Sequence, residues 1–264
     1  MNDPRKISVI MGVYNGGLRT IDSIESIENQ EYENWEFIIC DDCSNDESFE
    51  ILSQTVKNNA KIKVIRNDRN IGLAATLNKC IQYCNGQYIA RMDDDDISYP
   101  DRFLKQIEFL ERNPNISFVS SSADIYDGQK IVSKRINKNF PTKIDLIWNS
   151  RFIHPATMFR AEVLKSVGGY RVSSETTRGQ DYDLFMRLYG KGYLGANIQD
   201  CLFRYTEDRS NFKRRTFKAR IDECKIRYIG YKSMGVLPWA ALFIVKPFFA
   251  YLFSFLKYIK RSSN

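Results

Sequence analysis

Tyr88-Ile89-Ala90-Arg91-Met92-Asp93-Asp94-Asp95-Asp96 is the stretch on which the reading of this chain turns, a compact apolar run ending in four consecutive aspartates. A short run that is apolar on successive positions suits a strand buried on both faces. Pro100 then fits the first turn of a helix that carries Phe103, Ile107 and Leu110 inward. Four adjacent carboxylates repel one another, so gathering them at a strand end is costly unless a divalent cation or a ligand compensates. A solvated acidic loop is the plain alternative for any run of acids, and the placement behind a buried strand argues against it.

Working back from this point, three more units of strand then helix precede it. Lys6 to Val13 is an apolar run stopped by Tyr14-Asn15-Gly16-Gly17, followed by Ile21, Ile24 and Ile27 at helical spacing. Trp35 to Cys40 ends at Asp41-Asp42, and Phe49, Leu52 and Val56 mark the next helix. Ile62 to Ile65 ends in Arg66-Asn67-Asp68, before a helix with Leu73, Leu77, Ile81 and Cys84 inward. Parallel neighbours need crossovers, and crossovers are right-handed, so the pattern predicts a doubly wound, Rossmann-like α/β domain with a mostly parallel sheet and helices on both faces. Ligands in such sheets bind beyond the carboxyl ends of the strands. Tyr14-Asn15, Asp41-Asp42, Asn67 to Asn70 and Asp93 to Asp96 should therefore gather along one edge.

Working forward, Ile116 to Tyr126 and Lys130 to Arg135 read as strands around a turn at Asp127-Gly128. Pro141 to Asn149 is irregular or a short helix, and Asp181 to Leu188 begins another helix. Residues 1–212 form the expected α/β domain and 213–264 a basic and apolar helical segment.

With 264 residues, 43% hydrophobic and 27% charged, the chain is an ordinary folded domain, which excludes disordered, collagen-like and multi-span membrane classes. The net charge of +7 is concentrated late: Arg204 to Lys232 holds ten Lys or Arg against four Asp or Glu. That asymmetry suggests an anionic partner, either lipid or nucleic acid. Six scattered cysteines and an N-terminus without an apolar signal region predict a reducing, cytosolic compartment. Asp41 and Asp42 would oppose thiolate formation at Cys40 and Cys43, and no histidine joins Cys80 and Cys84, so these are read as small core residues rather than a zinc site.

A pyrophosphate must have its charge neutralised, by a Gly-rich loop at a helix N-terminus or by a metal on carboxylates. Neither G-x-G-x-x-G nor G-x-x-x-x-G-K-[ST] occurs, which leaves the aspartates. At this point the chain resembles a family 2 inverting glycosyltransferase of the GT-A fold. The matching segments are Ser8 to Asn15, Asp41-Asp42-Cys43-Ser44-Asn45-Asp46, Asn70 to Asn78, Ala90 to Asp96 with Pro100-Asp101-Arg102 as the DxD region, and Gly179-Gln180-Asp181-Tyr182-Asp183-Leu184. Each is weak alone, whereas five in order at the right strand ends are specific.

The resemblance implies a transfer from a nucleotide-diphosphate sugar, with UDP favoured, to a hydroxyl of a saccharide acceptor. It implies Asp42 as the carboxylate accepting from the base, Tyr14 packing on that base with Val13 and Asn15 beside it, and Asn70 and Arg91 near the nucleotide. Asp93 would contact the ribose side and Asp94 the donor, and Asp95, with Asp93, would ligate Mg²⁺ or Mn²⁺ against the diphosphate. Asp181 would be the catalytic base. Gln180 stands where the family usually has Glu, and Cys43 where it usually has Gly. No Q-x-x-R-W occurs, so single-sugar addition is expected rather than processive synthesis.

His154, the only histidine, is either a structural group at a strand start or part of an acceptor pocket with Gln180. Arg151 could face an acceptor phosphate or solvent. Val236 to Leu256 is nearly all apolar but interrupted by Pro238, Lys246 and Pro247, and Lys246, Ala250, Ser254, Lys257 and Arg261 recur at helical spacing. A helix lying in a membrane interface is expected, with the basic run Lys213 to Lys232 facing anionic headgroups; a helix packed on the domain or across a homodimer, and a true span, are the alternatives. A polyprenyl-diphosphate-linked acceptor, bacterial polysaccharide, O-antigen or capsule synthesis, and a peripheral position on the cytoplasmic face of the membrane follow. A sugar nucleotidyltransferase would want a basic, Gly-rich loop after the first strand. A non-enzymatic basic membrane or nucleic-acid module would leave Asp93 to Asp96 and Asp181 without purpose, and no nucleic-acid motif is present.

Overall fold

The computed structural model describes residues 5–207 and 217–248. The first half alternates β1 (Ile7–Val13), α1 (Arg19–Glu28), β2 (Trp35–Asp41), α2 (Ser48–Thr55), β3 (Ile62–Arg66), α3 (Leu73–Gln82) and β4 (Tyr88–Arg91). A two-residue strand, β5 (Ile97–Ser98), and α4 (Arg102–Arg112) complete it. The second half holds β6 (Ile116–Tyr126), β7 (Ile131–Arg135), α5 (Lys143–Trp148), β8 (Met158–Arg160), α6 (Ala161–Ser166), α7 (Gln180–Gly190), β9 (Leu194–Thr206), α8 (Phe217–Met234) and α9 (Leu237–Ala240).

The strands form one sheet in the order β3-β2-β1-β4-β8-β6-β9-β5, with β7 on β6. β1 to β4 are parallel, with Val13 opposite Asp41, Asp41 opposite Arg66 and Ile10 opposite Arg91, so their carboxyl ends share one edge. The expected parallel half is therefore present. The other half is mixed: β8 runs antiparallel to both β4 and β6, and β5 antiparallel to β9, while β6 and β9 are parallel. β8 has three residues, too few to display a period, and the pairing of β9 skips from Ile198 to Cys201, so Gln199 and Asp200 bulge out and break its alternation.

Alternation along β1 explains the two covered faces. Val9 and Met11 enter a cluster with Ile24 and Ile27 of α1 and Phe103 and Ile107 of α4, while Ile10 enters the opposite cluster with Leu77 of α3 and Leu184, Phe185 and Leu188 of α7. Slipping this strand by one residue would exchange the faces, and each large apolar side chain so buried stabilises by about 1.5–3 kcal/mol.

α8 lies along α7 and buries Ile226, Gly230, Tyr231 and Met234. Arg227 is buried with them, donating to Ile147 O and to the Tyr231 hydroxyl, each at 2.8 Å, and pairing with Glu223 at 3.0 Å. Within the basic run Lys213 to Lys232, Arg227 thus ties α8 to α5 and is not at the surface. Beyond Val236, the apolar stretch breaks into α9 and a 3₁₀ turn over Ala241–Val245, with Pro238 in the first turn of α9. Ala250, Ser254, Lys257 and Arg261 of the expected polar stripe lie outside the described residues. Among the described residues no helix is long and apolar enough to cross a membrane.

Candidate active site

The edge reached by β1 to β4 carries two linked loops. After β1, Val13 O accepts from Asp42 N–H at 2.7 Å, Asn15 N–H donates to Ser44 Oγ at 3.0 Å, and Asn45 donates to both Asn15 Oδ1 and the Tyr14 hydroxyl. Tyr14 is 44% exposed and its ring is open to a ligand. Asn15 and Cys43 both adopt left-handed backbone, φ 54° and 58°. Asparagine tolerates that conformation, whereas cysteine pays for its Cβ, so the position where a family member usually has Gly keeps a glycine-like turn under strain.

Asp42 is buried and its carboxylate accepts from Asn67 Nδ2 at 2.8 Å, Ile71 N–H at 2.9 Å and Gly72 N–H at 2.8 Å. It thereby clamps the turn before α3, in which Gly72 takes φ 83°. A carboxylate offers about four acceptor positions, so one remains for an incoming ligand. Asn70, on the same turn, is exposed.

The aspartate run leaves β4 at a fully buried Arg91, whose guanidinium pairs with Asp93 while its Nε and Nη1 find no partner among the described residues. Arg102, also fully buried, donates to Arg91 O at 2.9 Å and braces the run from below; burial pushes its guanidinium down to about 9. Asp94 faces Arg19 of α1 at 3.6 Å, and Gly16 lies so close that a Cβ there would meet Asp94 Oδ2 at 2.7 Å. From β9, Thr206 N–H donates to Asp96 Oδ1 at 2.7 Å and its hydroxyl donates to Asp95 O at 2.5 Å.

Burial and then the charge of Asp95 raise the Asp94 carboxyl to about 7, and burial and then Asp93 raise Asp95 to about 6. Asp96 is pushed well above the carboxylate range by burial and the same neighbours, and its Oδ2 finds no partner among the described residues. Carboxylates this crowded are a fit for a divalent cation, which would relieve the repulsion that protons otherwise relieve. Among the described residues no three His, Cys, Asp or Glu side chains converge on one point. That donor set suits a cation held by one or two carboxylates that completes its shell with substrate phosphate oxygens.

Asp181 stands in the first turn of α7, after Gly179, where helix N–H groups point at its carboxylate. Burial raises its pKa against the opposing backbone hydrogen bonds from Tyr182 and from its own N–H. A base needs a pKa nearer neutrality than an ordinary aspartate has, and this environment moves it that way. Asp181 and Gln180 line a cavity of about 1170 Å³, walled also by Leu73, Asn149, Tyr205 and Thr206. Thr206 thus touches the aspartate run on one side and the Asp181 cavity on the other.

His154 is buried, accepts or donates to the Tyr170 hydroxyl at 2.7 Å, and is held well below its usual pKa by burial and Arg91. The structure places it in the core, and it is not among the described residues that line the cavity. Arg151 donates from Nε to Asp145 O at 3.2 Å and is likewise absent from the wall, although Asn149 and Ser150 belong to it. Arg19, Tyr205 and Thr206 were not foreseen. Arg102 had a signal in Pro100-Asp101-Arg102, whereas Thr206 lies 110 residues beyond Asp96 and had none.

Residues 8–168 match the family model described as "Glycosyl transferase family 2". The chain belongs to this family. It is 37% identical over 248 residues to the putative glycosyltransferase EpsE of Bacillus subtilis (strain 168), covering 94% of this chain and 89% of that protein. It is 35% identical over 133 residues to the UDP-Glc:alpha-D-GlcNAc-diphosphoundecaprenol beta-1,3-glucosyltransferase WfgD of Escherichia coli, covering 50% of this chain and 51% of that protein. The crystal structure of S. aureus TarS 1–349 in complex with UDP-GlcNAc superposes with a TM-score of 0.69 at 16% identity, covering 88% of this chain and 71% of that one. That likeness establishes the GT-A fold of this family 2 glycosyltransferase.

Proposed function

We propose that this glycosyltransferase moves a single sugar from a UDP-sugar to a hydroxyl of a saccharide on a lipid diphosphate, with inversion, in polysaccharide synthesis at a membrane surface. The observation that carries the proposal is the position of Thr206, which bonds Asp95 and Asp96 and also lines the Asp181 cavity, with the charge of Asp93 felt at Asp181, so the aspartate run borders the space that Asp181 lines. UDP-GlcNAc in TarS and the diphosphoundecaprenol acceptor in the name of WfgD support the donor and acceptor classes.

Asp181 accepts the acceptor proton as the hydroxyl oxygen attacks the anomeric carbon, and the bond to the nucleoside diphosphate breaks on the opposite face. A divalent cation on Asp95 and Asp93 would neutralise charge on the departing diphosphate. Arg91 holds Asp93, Arg102 holds the strand end, Tyr14 offers a ring to the base, and Asp42 keeps the Asn70 turn in place. The test is product stereochemistry: an α-linked donor is expected to give a β-linked product with a lipid-diphosphate sugar acceptor, and an α-linked product would remove the single-displacement scheme.

A further inference from the structure

A line of large apolar side chains crosses the surface from α9 onward. Trp239, Leu242, Val245 and Phe248 recur every third residue, and across the 3₁₀ turn residues three apart eclipse one another. All four face outward, with exposures of 55%, 84%, 44% and 40%. The patch extends to neighbouring elements: Trp148 of α5, half exposed, packs edge-on to Phe243 with centroids 4.8 Å apart, and Phe217 of α8 packs edge-on to Phe248 at 5.2 Å. Lys246 Nζ sits 5.2 Å over the Trp148 ring and donates to Trp148 O at 2.7 Å, which anchors a cation at the margin of the apolar line.

Charge singles out the occupant. After Glu223 the chain has seven Lys or Arg and no Asp or Glu, so the full formal charge of +7 is concentrated in this last part while the preceding residues balance to zero. An apolar line with two tryptophans and a lysine at its edge, in a stretch whose sequence after Glu223 holds no acid, suits the headgroup region of an anionic bilayer, where indole rings and ammonium groups both find partners. A second copy of the same face would oppose like charges.

We propose that the face formed by Trp148, Trp239, Leu242, Val245 and Phe248 is a docking surface for an anionic lipid bilayer, and that it sets the Asp181 cavity at the membrane. Asn149 follows Trp148 and Lys218 follows Phe217 directly, and both Asn149 and Lys218 line that cavity. A docked molecule thus receives a lipid-anchored acceptor from the side on which its lipid lies. This last point rests on the proposed acceptor class, whereas docking itself does not.

The test is flotation of the full chain with vesicles of phosphatidylglycerol and phosphatidylethanolamine, and with phosphatidylcholine alone, for the wild type and for Trp239→Ser/Leu242→Ser/Val245→Ser. These positions are exposed, so the variant should fold. Nucleotide release from donor without acceptor serves as the check on the site. The expected result is binding to anionic vesicles, about tenfold weaker both on neutral vesicles and in the triple variant, with nucleotide release unchanged. A wild type that stays in solution, or a triple variant that binds anionic vesicles equally well, overturns the proposal. So does light scattering that shows a wild-type dimer dispersed by the substitutions without any vesicle binding. Normal vesicle binding with no nucleotide release from any donor would overturn the functional proposal and leave the docking surface standing.

Discussion

Replacing Asp94 by Asn removes a carboxylate whose charge the folded protein disfavours, and should stabilise the cation-free protein at alkaline pH. Burial, followed by the charge of Asp95, raises its carboxyl from 3.8 to about 7 against the pull of Arg19. That difference corresponds to roughly 4 kcal/mol as an upper bound. Water reaching the loop, and the loss of the Arg19 pairing, reduce the expected gain to about 1–2 kcal/mol. The sign follows from proton counting. Between pH 4 and 7 the folded state holds a proton at Asp94 that the unfolded chain releases, so the contribution of this group is most favourable at the acidic end of that window and falls as pH rises through about 7. Asn imitates the protonated form, so its advantage belongs at pH 8 and should shrink to a few tenths of a kcal/mol near pH 4. Urea unfolding in EDTA at both pH values measures this. Manganese at pH 8 should then stabilise the wild type by about 2–3 kcal/mol at a hundredfold excess over its Kd, and Asp95→Asn less. A variant less stable than wild type at pH 8 in EDTA would refute the reasoning, because it would mean that ionised Asp94 supports the fold.

Cys43→Gly should raise stability by about 0.5–1 kcal/mol, the relief of a left-handed cysteine less the extra entropy of glycine, read as a higher urea midpoint. Arg227→Ala should cost about 2–4 kcal/mol and lower the melting temperature, since Glu223, Ile147 O and the Tyr231 hydroxyl lose a buried partner. The pH dependence of kcat/KM should show activity lost as pH falls through a carboxyl pKa above 3.8, because Asp181 must be ionised to accept a proton and burial raises it; Asp181→Asn should leave only a residual rate without that limb.

The parallel half of the sheet was legible because each of its strands is a short, mostly apolar run ending in a turn, and the shared strand direction then brings Asn15, Asp42 and the aspartate run to one edge. The mixed half was hidden: three residues of β8 carry no period, and the Gln199–Asp200 bulge disguises β9. Hiding β9 also hid Thr206, whose contacts with Asp95 and Asp96 are set by a strand pairing 110 residues distant. His154 shows a further limit, since a histidine beside proline has the same sequence whether it lines a pocket or, as here, meets a buried Tyr170 hydroxyl. Asp42 was placed correctly at the strand end, yet its three internal donors come from the Asn67 to Gly72 turn, whose course no local pattern specifies.

The central claim is that carboxylates of the aspartate run and Asp181 act together on a nucleotide-sugar. Nucleotide release from UDP-, GDP- and dTDP-sugars, measured with Mn²⁺ or EDTA for the wild type and Asp181→Asn, tests it most directly. The account predicts release from a UDP-sugar that needs the cation and is lost in the variant. Release that persists in EDTA, or that Asp181→Asn leaves intact, would contradict it.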